Sequence, residues 1–500
     1  MKESETIYLG VVRTLRFVSQ RYFRDVQVTG REHVPPTGGG VLVSWHPNGL
    51  VDPALIFTYC PRRVIFGARD GLLRFPGLGR VLRALGTVPI YRSIDPGNED
   101  PAARRAANAR SLETLARAVA SGGLSCLFPE GDSHDAPYLL DLKTGAARFF
   151  RQAWHQRAPG QPAPLLLPVG LHYDRKDAAG SNVLVAFHPA IPVEVPPPAG
   201  EGDDAIAWDD QMTALIEETL REVVHATESW RLHFQLHRLR ELVRAERVHR
   251  AGSGLAAADI HERTLGYARV WSAYARLKHQ APEALAQLIE RVAVYQEDLH
   301  ALGLTDRALD APPSFFRRGV VALLVAQVMV VFVILPPLMV LGVVVHLPPA
   351  LALWGASQAF SKRQKDVATI QMLLAMLLFP LAWAVTIGVT LWARQQMDAM
   401  VPSIPDAPAL AAITVVGLSI IGAMAALRYL RLVRETARAA RIRLTRSRRR
   451  VAIAALKVER AEIHDAFLAL TAELDLPGAV QPDGRVVDDE SRQDEPGWQR

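Results

Sequence analysis

Val41-Leu-Val-Ser-Trp-His46-Pro-Asn-Gly-Leu-Val-Asp52-Pro53 carries a β-rich run into a turn and out into a helix start. The apolar run ends at Trp45. Pro47 and Gly49 then interrupt regular structure, and Asp52 before Pro53 reads as an N-cap with proline at the first helical position. Similar short runs recur downstream at Arg63–Phe66, Thr87–Tyr91, Leu124–Phe128, Leu165–Val169 and Val183–Phe187. Ala102–Ser121, rich in Ala, Arg and Leu, reads as a helix between them. Such alternation predicts an α/β domain over residues 31–200, a mixed sheet flanked by helices, closed by the proline-rich Val193–Gly200.

Upstream, Met1–Gly30 has neither the apolar run nor the cleavage site of a signal peptide. Ile7, Leu9, Val11, Val12, Leu15, Phe17 and Val18 interleave with Arg13, Arg16, Arg21 and Arg24. Residues 1–30 therefore read as a basic amphipathic helix, lying on a membrane surface or packed on its own domain. Downstream, residues 201–312 read as a helical lobe or stalk without internal repeat.

Gly319–Ser361, Val367–Ala393 and Ala407–Leu427 then contain no Lys, Arg, Asp or Glu. A crossing helix needs about 20 apolar residues, so the second and third each match one crossing, while the first is about twice that length. Arg317 and Arg318 precede the first; Lys362, Arg363 and Lys365 follow it. Basic residues favour the cytoplasmic side, so this pattern predicts three or four crossings over 316–430, with four favoured by charge. Arg428, Arg431, Arg434, Arg438 and Arg441 return the chain to the cytoplasm. Residues 431–475 read as a basic cytoplasmic helix and 476–500 as a disordered tail.

The whole chain fits this division. Five hundred residues exceed one core, and 49% apolar against 22% charged residues excludes global disorder. The net charge of +6 concentrates beside the apolar runs, which favours anionic lipid over nucleic acid as partner. Two cysteines, Cys60 and Cys126, exclude a disulfide framework and a cysteine-based zinc cluster.

Four stretches could carry chemistry. His46, at the mouth of a strand, can act as a general base, and Asp52 can bond the other ring nitrogen. Gly86-Thr-Val-Pro-Ile-Tyr-Arg92 ends in an arginine able to hold a phosphate, or to sit in an ordinary salt bridge. In Phe128-Pro-Glu130-Gly131-Asp-Ser-His-Asp135 the chain must turn sharply. Glu130 can bond a substrate hydroxyl or hold a basic residue, while Ser133, His134 and Asp135, adjacent in sequence, are poorly disposed to form a triad. Lys143 adds a cation for an anionic substrate. Leu167-Pro-Val-Gly170 places a proline within a strand, tolerable only at an edge or a break in pairing.

Taken in order, these four blocks resemble the glycerolphosphate and lysophosphatidate acyltransferase family over roughly residues 25–195. The five residues between His46 and Asp52, where four are usual, are similar to the branch acylating glycerol 3-phosphate or dihydroxyacetone phosphate. So are Glu130–Gly145, Tyr295-Gln-Glu-Asp-Leu-His-Ala-Leu-Gly-Leu-Thr-Asp306 and the C-terminal membrane segments; Asp132 departs from the small or hydroxyl residue common there. The resemblance implies an α/β acyltransferase domain and a membrane-bound enzyme moving a fatty acyl chain from coenzyme A or acyl carrier protein to a glycerol phosphate. It implies His46 and Asp52 as catalytic, Arg92, Glu130, Gly131 and Lys143 as substrate-binding, and no metal or cofactor. A lysophosphatidic acid acceptor is the alternative within the family. An inactive scaffold is the alternative outside it, and it predicts a broken His46, Asp52 or Glu130, all of which are present.

Overall fold

The computed structural model describes residues 2–74, 77–91, 100–197, 202–254, 257–310, 335–360, 364–400 and 407–489. Seven strands form one mixed sheet: β1 Asp25–Thr29, β2 Gly40–Ser44, β3 Val64–Arg69, β4 Val88–Ile90, β5 Leu124–Leu127, β6 Leu165–Tyr173 and β7 Asn182–Phe187. Their order is β1-β7-β6-β2-β5-β3-β4, all neighbours parallel except β6 and β7. Successive side chains of a strand point to opposite faces, and here both faces are covered. Leu42, Leu167 and Val185 meet Phe23, Leu55 and Ile56 on one side. Val41, Val43 and Leu166 meet Leu115, Phe149 and Leu220 on the other. Each such buried side chain contributes about 1.5–3 kcal/mol.

The first face carries α1 (Lys2–Tyr22) and α2 (Val51–Tyr59); α3 (Asp70–Arg74) and α4 (Leu78–Ala84) lie between β3 and β4. The second carries α5 (Pro101–Ala120), α6 (Gly145–Gln156) and α7 (Asp203–Val224). Two expectations shift here, and a third, the break in pairing at Pro168, is met. The amphipathic N-terminal helix ends at Tyr22, because Asp25–Thr29 pairs with β7. The α/β domain extends past residue 200, since Ala205, Trp208, Met212, Ile216 and Leu220 form a helical stripe, most of it packed on the sheet. Pro168 lies inside the sheet, not on an edge. Its carbonyl accepts from His188 N at 3.0 Å, so the missing N–H falls where regular pairing with β7, which starts at Val169, is absent.

The lobe comprises α8 (Trp230–Ala251), α9 (Ile260–Gln280), α10 (Pro282–Ala301) and α11 (Asp306–Asp310). Ser229 and Asp259 cap α8 and α9 by accepting from Leu232 N at 3.2 Å and Glu262 N at 2.8 Å. Ile260 packs on Leu184 and Ala186 of β7, and Arg263 pairs with Asp174 at 2.9 Å, so lobe and sheet form one body.

Three further helices, α12 (Leu335–Phe360), α13 (Gln364–Met400) and α14 (Pro408–Arg448), are long and apolar enough to cross a membrane, over Met339–Ala359, Val367–Met397 and Pro408–Leu430. The first part of the long apolar run, residues 319–334, and its flanking Lys362 and Arg363 lie outside the described residues. Gly342 of α12 lies directly against the backbone of Gly422 and Ala423 of α14, a contact that only a small residue permits. Trp383 donates to His346 Nε2 at 3.0 Å across α12 and α13.

The expected basic helix over 431–475 is instead the end of α14 followed by α15 (Arg450–Leu470), which folds back into the lobe. Ile453, Leu456, Ile463 and Phe467 join Leu239, Val292, Tyr295 and Leu309 in one core. Arg460, fully buried, donates to Glu246 Oε2 at 2.9 Å and Asp306 O at 3.1 Å and pairs with Asp310 Oδ2 at 2.7 Å. Residues 476–489 are likewise ordered where a disordered tail was expected. β8 (Ala479–Val480) pairs with β9 (Val486–Val487), and Arg269 Nη1 donates to Pro477 O at 2.8 Å and Gly478 O at 2.6 Å. The rest of that tail, residues 490–500, lies outside the described residues.

At the seam of sheet and lobe, His172, His188, His225, His233 and His237 gather with Tyr267 and Trp271. Gly170 is required beneath them, because a Cβ there would lie 2.8 Å from His172 Nε2 and 3.3 Å from His188 Nε2. Burial, then neighbouring imidazoles, holds His172 down to about 3 and His188 to about 4, and burial alone holds His233 to about 4. Burial also holds His225 and His237 well below the usual range, helped by surrounding imidazoles and, at His237, by Arg240 and Arg263. The unfolded chain takes up protons near pH ~6.5 that the folded chain refuses, so stability is intact above that pH and falls as pH drops toward about 4. Thermal unfolding in detergent should therefore show a melting temperature falling steadily from pH ~6.5 to ~4.5; a flat profile would refute this.

Candidate active site

The C-terminal ends of β2, β5 and β3 open onto one rim, the usual position of a ligand crevice in an open sheet of parallel strands. The chain leaves β2 at Ser44, whose hydroxyl donates to Val169 O at 2.8 Å, and Trp45 Nε1 donates to Leu171 O at 3.0 Å. His46 follows at the strand mouth, and Gly49 turns the chain with φ 45°, in the left-handed region. Helix α2 begins at Val51, so Asp52 lies in its first turn with its carboxylate directed inward and does not cap it.

His46 Nδ1 lies 2.8 Å from Asp52 Oδ2, which also accepts from Asn48 N at 2.6 Å. Asp52 Oδ1 accepts from Tyr173 O–H at 2.5 Å, and the carboxylate is fully buried. Burial, then the adjacent Asp52, pushes the Tyr173 hydroxyl well above its ordinary value, so it remains a donor. Three donors thus converge on one carboxylate, and Nδ1 carries its proton toward it. In the neutral tautomer so set, Nε2 is the accepting nitrogen, on a ring 18% exposed and stacked on Phe128 at 4.1 Å. A half-open imidazole with its tautomer set in this way can take a proton from an approaching hydroxyl.

Glu130, expected to bond a substrate hydroxyl or to hold a basic residue, is found holding His134. It is 3% exposed, and its carboxylate accepts from His46 N at 2.9 Å and Leu140 N at 2.9 Å and bonds His134 Nε2 at 2.6 Å. Ala136 N donates to His134 Nδ1 at 3.2 Å, which places the proton on Nε2 and makes it the donor to Glu130. A carboxylate so engaged by protein donors holds the turn against the His46 loop. Ser133, His134 and Asp135 do not form a triad, since His134 bonds Glu130 and Asp135 pairs with Lys176 at 2.8 Å.

Gly131 turns with φ 74°, and a Cβ there would lie 2.6 Å from Lys143 Nζ. Lys143 therefore lies over the Gly131 turn, on the same rim. Arg92 lies outside the described residues; β4, which precedes it, pairs with β3 in a register that places Ile90 opposite Arg69. Both cysteines are interior. Burial pushes the Cys60 thiol up to about 11 and the Cys126 thiol well above its usual value, so neither is a thiolate near neutrality. Among the described residues, no group of three or more His, Cys, Asp or Glu is placed to hold a metal ion.

Sequence reasoning missed four participants. Tyr173 ends a strand that was recognised, and its spacing from Gly170 was the available signal. Arg69 ends β3, half exposed, with Nη2 3.8 Å from Asp132. Lys176 Nζ bonds Pro47 O at 2.8 Å and His134 O at 3.0 Å, bracing the two loops. Thr369 reaches the loop from α13, accepting from Leu50 N at 3.2 Å. Neither of the last two carries any local signal.

Residues 25–171 match the family model described as Acyltransferase. Among solved structures, the chain is similar to the crystal structure of the 1-acyl-sn-glycerophosphate (LPA) acyltransferase PlsC from Thermotoga maritima. The identity is 18% over 44% of this chain and 82% of that one, with a TM-score of 0.30. No curated protein matches the chain.

Proposed function

We propose that this chain is a membrane-bound O-acyltransferase that moves a fatty acyl chain from an acyl thioester to a hydroxyl of glycerol 3-phosphate. The observation that carries the reading is the His46–Asp52 pair, set at a strand mouth with Nε2 available. The family match over residues 25–171 supports it. In this reading His46 Nε2 takes the acceptor hydroxyl proton as that oxygen attacks the thioester carbonyl. The tetrahedral intermediate collapses with cleavage of the C–S bond, and the imidazolium returns the proton to the departing thiolate sulfur. Transfer is direct, since both thiols are buried and protonated. Lys143 and Arg92, with Arg69 on the same rim, hold the acceptor phosphate. Gly131 leaves room for Lys143, and Glu130 keeps the His46 loop in place. The donor is acyl-CoA or acyl carrier protein, and the lipid bilayer receives the product.

The points where the chain is tied down support a four-crossing arrangement. Asp310, Thr369 and Arg460 are all held by the one body of sheet and lobe. In this reading the chain crosses an even number of times between 310 and 369, and again between 369 and 460. α13 and α14 supply the second pair, and α12 supplies one of the first, which fits four crossings. Arg428, Arg431, Arg434, Arg438 and Arg441 then put the catalytic domain in the cytoplasm.

The acceptor is tested by offering radiolabelled glycerol 3-phosphate and lysophosphatidic acid separately to membranes containing the full chain. Each is paired with palmitoyl-CoA and with palmitoyl acyl carrier protein. Incorporation into glycerol 3-phosphate is expected; its spacing of five between His46 and Asp52 and the Tyr295–Asp306 stretch favour that branch. Incorporation into lysophosphatidic acid alone would move the acceptor, and silence with every pair would reject the enzyme reading.

A further inference from the structure

The loop that carries His46 is held from several directions. Glu130 takes the His46 amide, Asp52 takes the Asn48 amide at 2.6 Å, and Asn48 Nδ2 donates to Lys176 O at 2.9 Å. The Leu50 amide precedes the first residue of α2, where a helix has no internal acceptor for its N–H groups. That amide donates to Thr369 Oγ1 at 3.2 Å. Thr369 lies near the start of the apolar span Val367–Met397 of α13.

The contact belongs to a built seat, not to a chance approach. Ala368 is fully buried in the cluster that holds Phe23, Leu55 and Tyr59. Met372 packs against the same cluster, and Gln371 Oε1 accepts from Tyr22 O–H at 3.1 Å. The first turns of a membrane-crossing helix thus complete the core beneath α2, and one of its hydroxyls fills the acceptor position at the start of that helix.

We propose that Thr369 is a positioning residue for the reaction, coupling the His46–Asp52 pair to the membrane helix. Asp52 lies two residues beyond Leu50, in the first turn of α2, so freeing the Leu50 amide loosens the turn that aims the carboxylate at His46 Nδ1. The active centre is therefore completed only when α13 is seated, and it sits level with the start of the apolar span, where acyl chains reside. This inference rests on the acyltransferase reading for its kinetic arm and not for its structural arm.

The test uses the full chain in membranes with Thr369→Val, which keeps shape and removes the hydroxyl, and Thr369→Ser, which restores it. Two quantities are read: kcat and KM for acceptor and donor, and amide hydrogen exchange in the peptide spanning residues 47–55. Thr369→Val should lower kcat about tenfold with KM values within about twofold, because a small misalignment of reacting groups costs rate more than binding. Exchange at Leu50 should quicken in the same variant, and Thr369→Ser should restore both. Wild-type exchange in Thr369→Val, or Thr369→Ser behaving as Thr369→Val does, would overturn the proposal. If the wild-type chain transfers no acyl group, the acyltransferase reading fails while the exchange arm still decides whether Thr369 holds the loop.

Discussion

If the proposed reading holds, substituting His46 with alanine should lower acyl transfer by about 10²–10⁴-fold, the contribution expected of a positioned general base. The variant keeps its fold, because the backbone at residue 46 is held independently of the ring. Glu130 Oε2 takes the amide at 2.9 Å, and the carbonyl accepts from His134 N at 3.0 Å. The ring contributes its bond to Asp52 and its stacking on Phe128, and after its removal Asn48 N and Tyr173 O–H still hold the carboxylate. Asp52→Asn should approach the same loss by another route. His46, Asn48 and Tyr173 all donate to the Asp52 carboxylate, and an amide offers one acceptor oxygen where two are needed. Its NH₂ must then face a donor, and the imidazole is driven toward the tautomer with Nδ1 unprotonated and Nε2 unable to accept, which costs up to about 10⁴-fold. Initial rates in membranes, alongside thermal unfolding of both variants, check the result. His46→Ala retaining near wild-type rates at unchanged stability would remove the general-base assignment.

Replacing Arg460 with alanine gives the largest expected loss of stability, about 3 kcal/mol, the lower end of what breaking a buried ion pair costs. Arg460 is fully enclosed and joins α8, α11 and α15 through Glu246, Asp306 O and Asp310. Its removal does not strand every partner: Arg250 still meets Glu246 at 2.8 Å, and Lys457 still meets Asp310 at 3.3 Å. That residual pairing is why the lower end applies. Arg460→Lys should recover little, because one ammonium cannot reproduce the fork that spans three acceptors. Denaturant unfolding followed by tryptophan fluorescence reads the difference, and a loss under about 1 kcal/mol would show the network to be incidental.

What could be read from the chain alone follows the distance between partners. The six apolar runs from Val41 to Phe187 emerged because a strand buried on both faces writes its burial into consecutive residues. His46 and Asp52 were found because a single turn separates them. β1 was missed since Asp25-Val-Gln-Val-Thr29 is short, and its partner β7 lies far down the chain. α15 was taken for part of a surface helix because the arginines between Arg428 and Arg450, just before it, dominate the run in which it lies; the stripe Ile453, Leu456, Arg460, Ile463 and Phe467 was present but includes a charge that only Glu246 and Asp310 explain. Glu130 could be read as a substrate ligand or as the holder of a basic residue, and which basic residue, His134, with the two backbone amides it also takes, leaves no compositional trace. Lys176 and Thr369 act on the His46 loop through backbone atoms, from 129 and 319 residues away, which no local pattern records.

The lobe core includes α15, and α15 is made after the three long apolar helices. During synthesis the ribosome finishes α8 to α11, then threads α12, α13 and α14, before it delivers Ile463 and Phe467. At about 5–20 residues per second, the interval between Asp310 and Leu470 is on the order of ten seconds or more. Through that time Leu239 of α8 and Val292 of α10 lack the cover that Ile463 and Phe467 give the lobe core. A chain that stalls, or that fails to insert its helices with the correct count, never presents α15 on the side where the lobe waits. Such a chain keeps a sticky, protease-accessible surface, whereas a correctly inserted one conceals it.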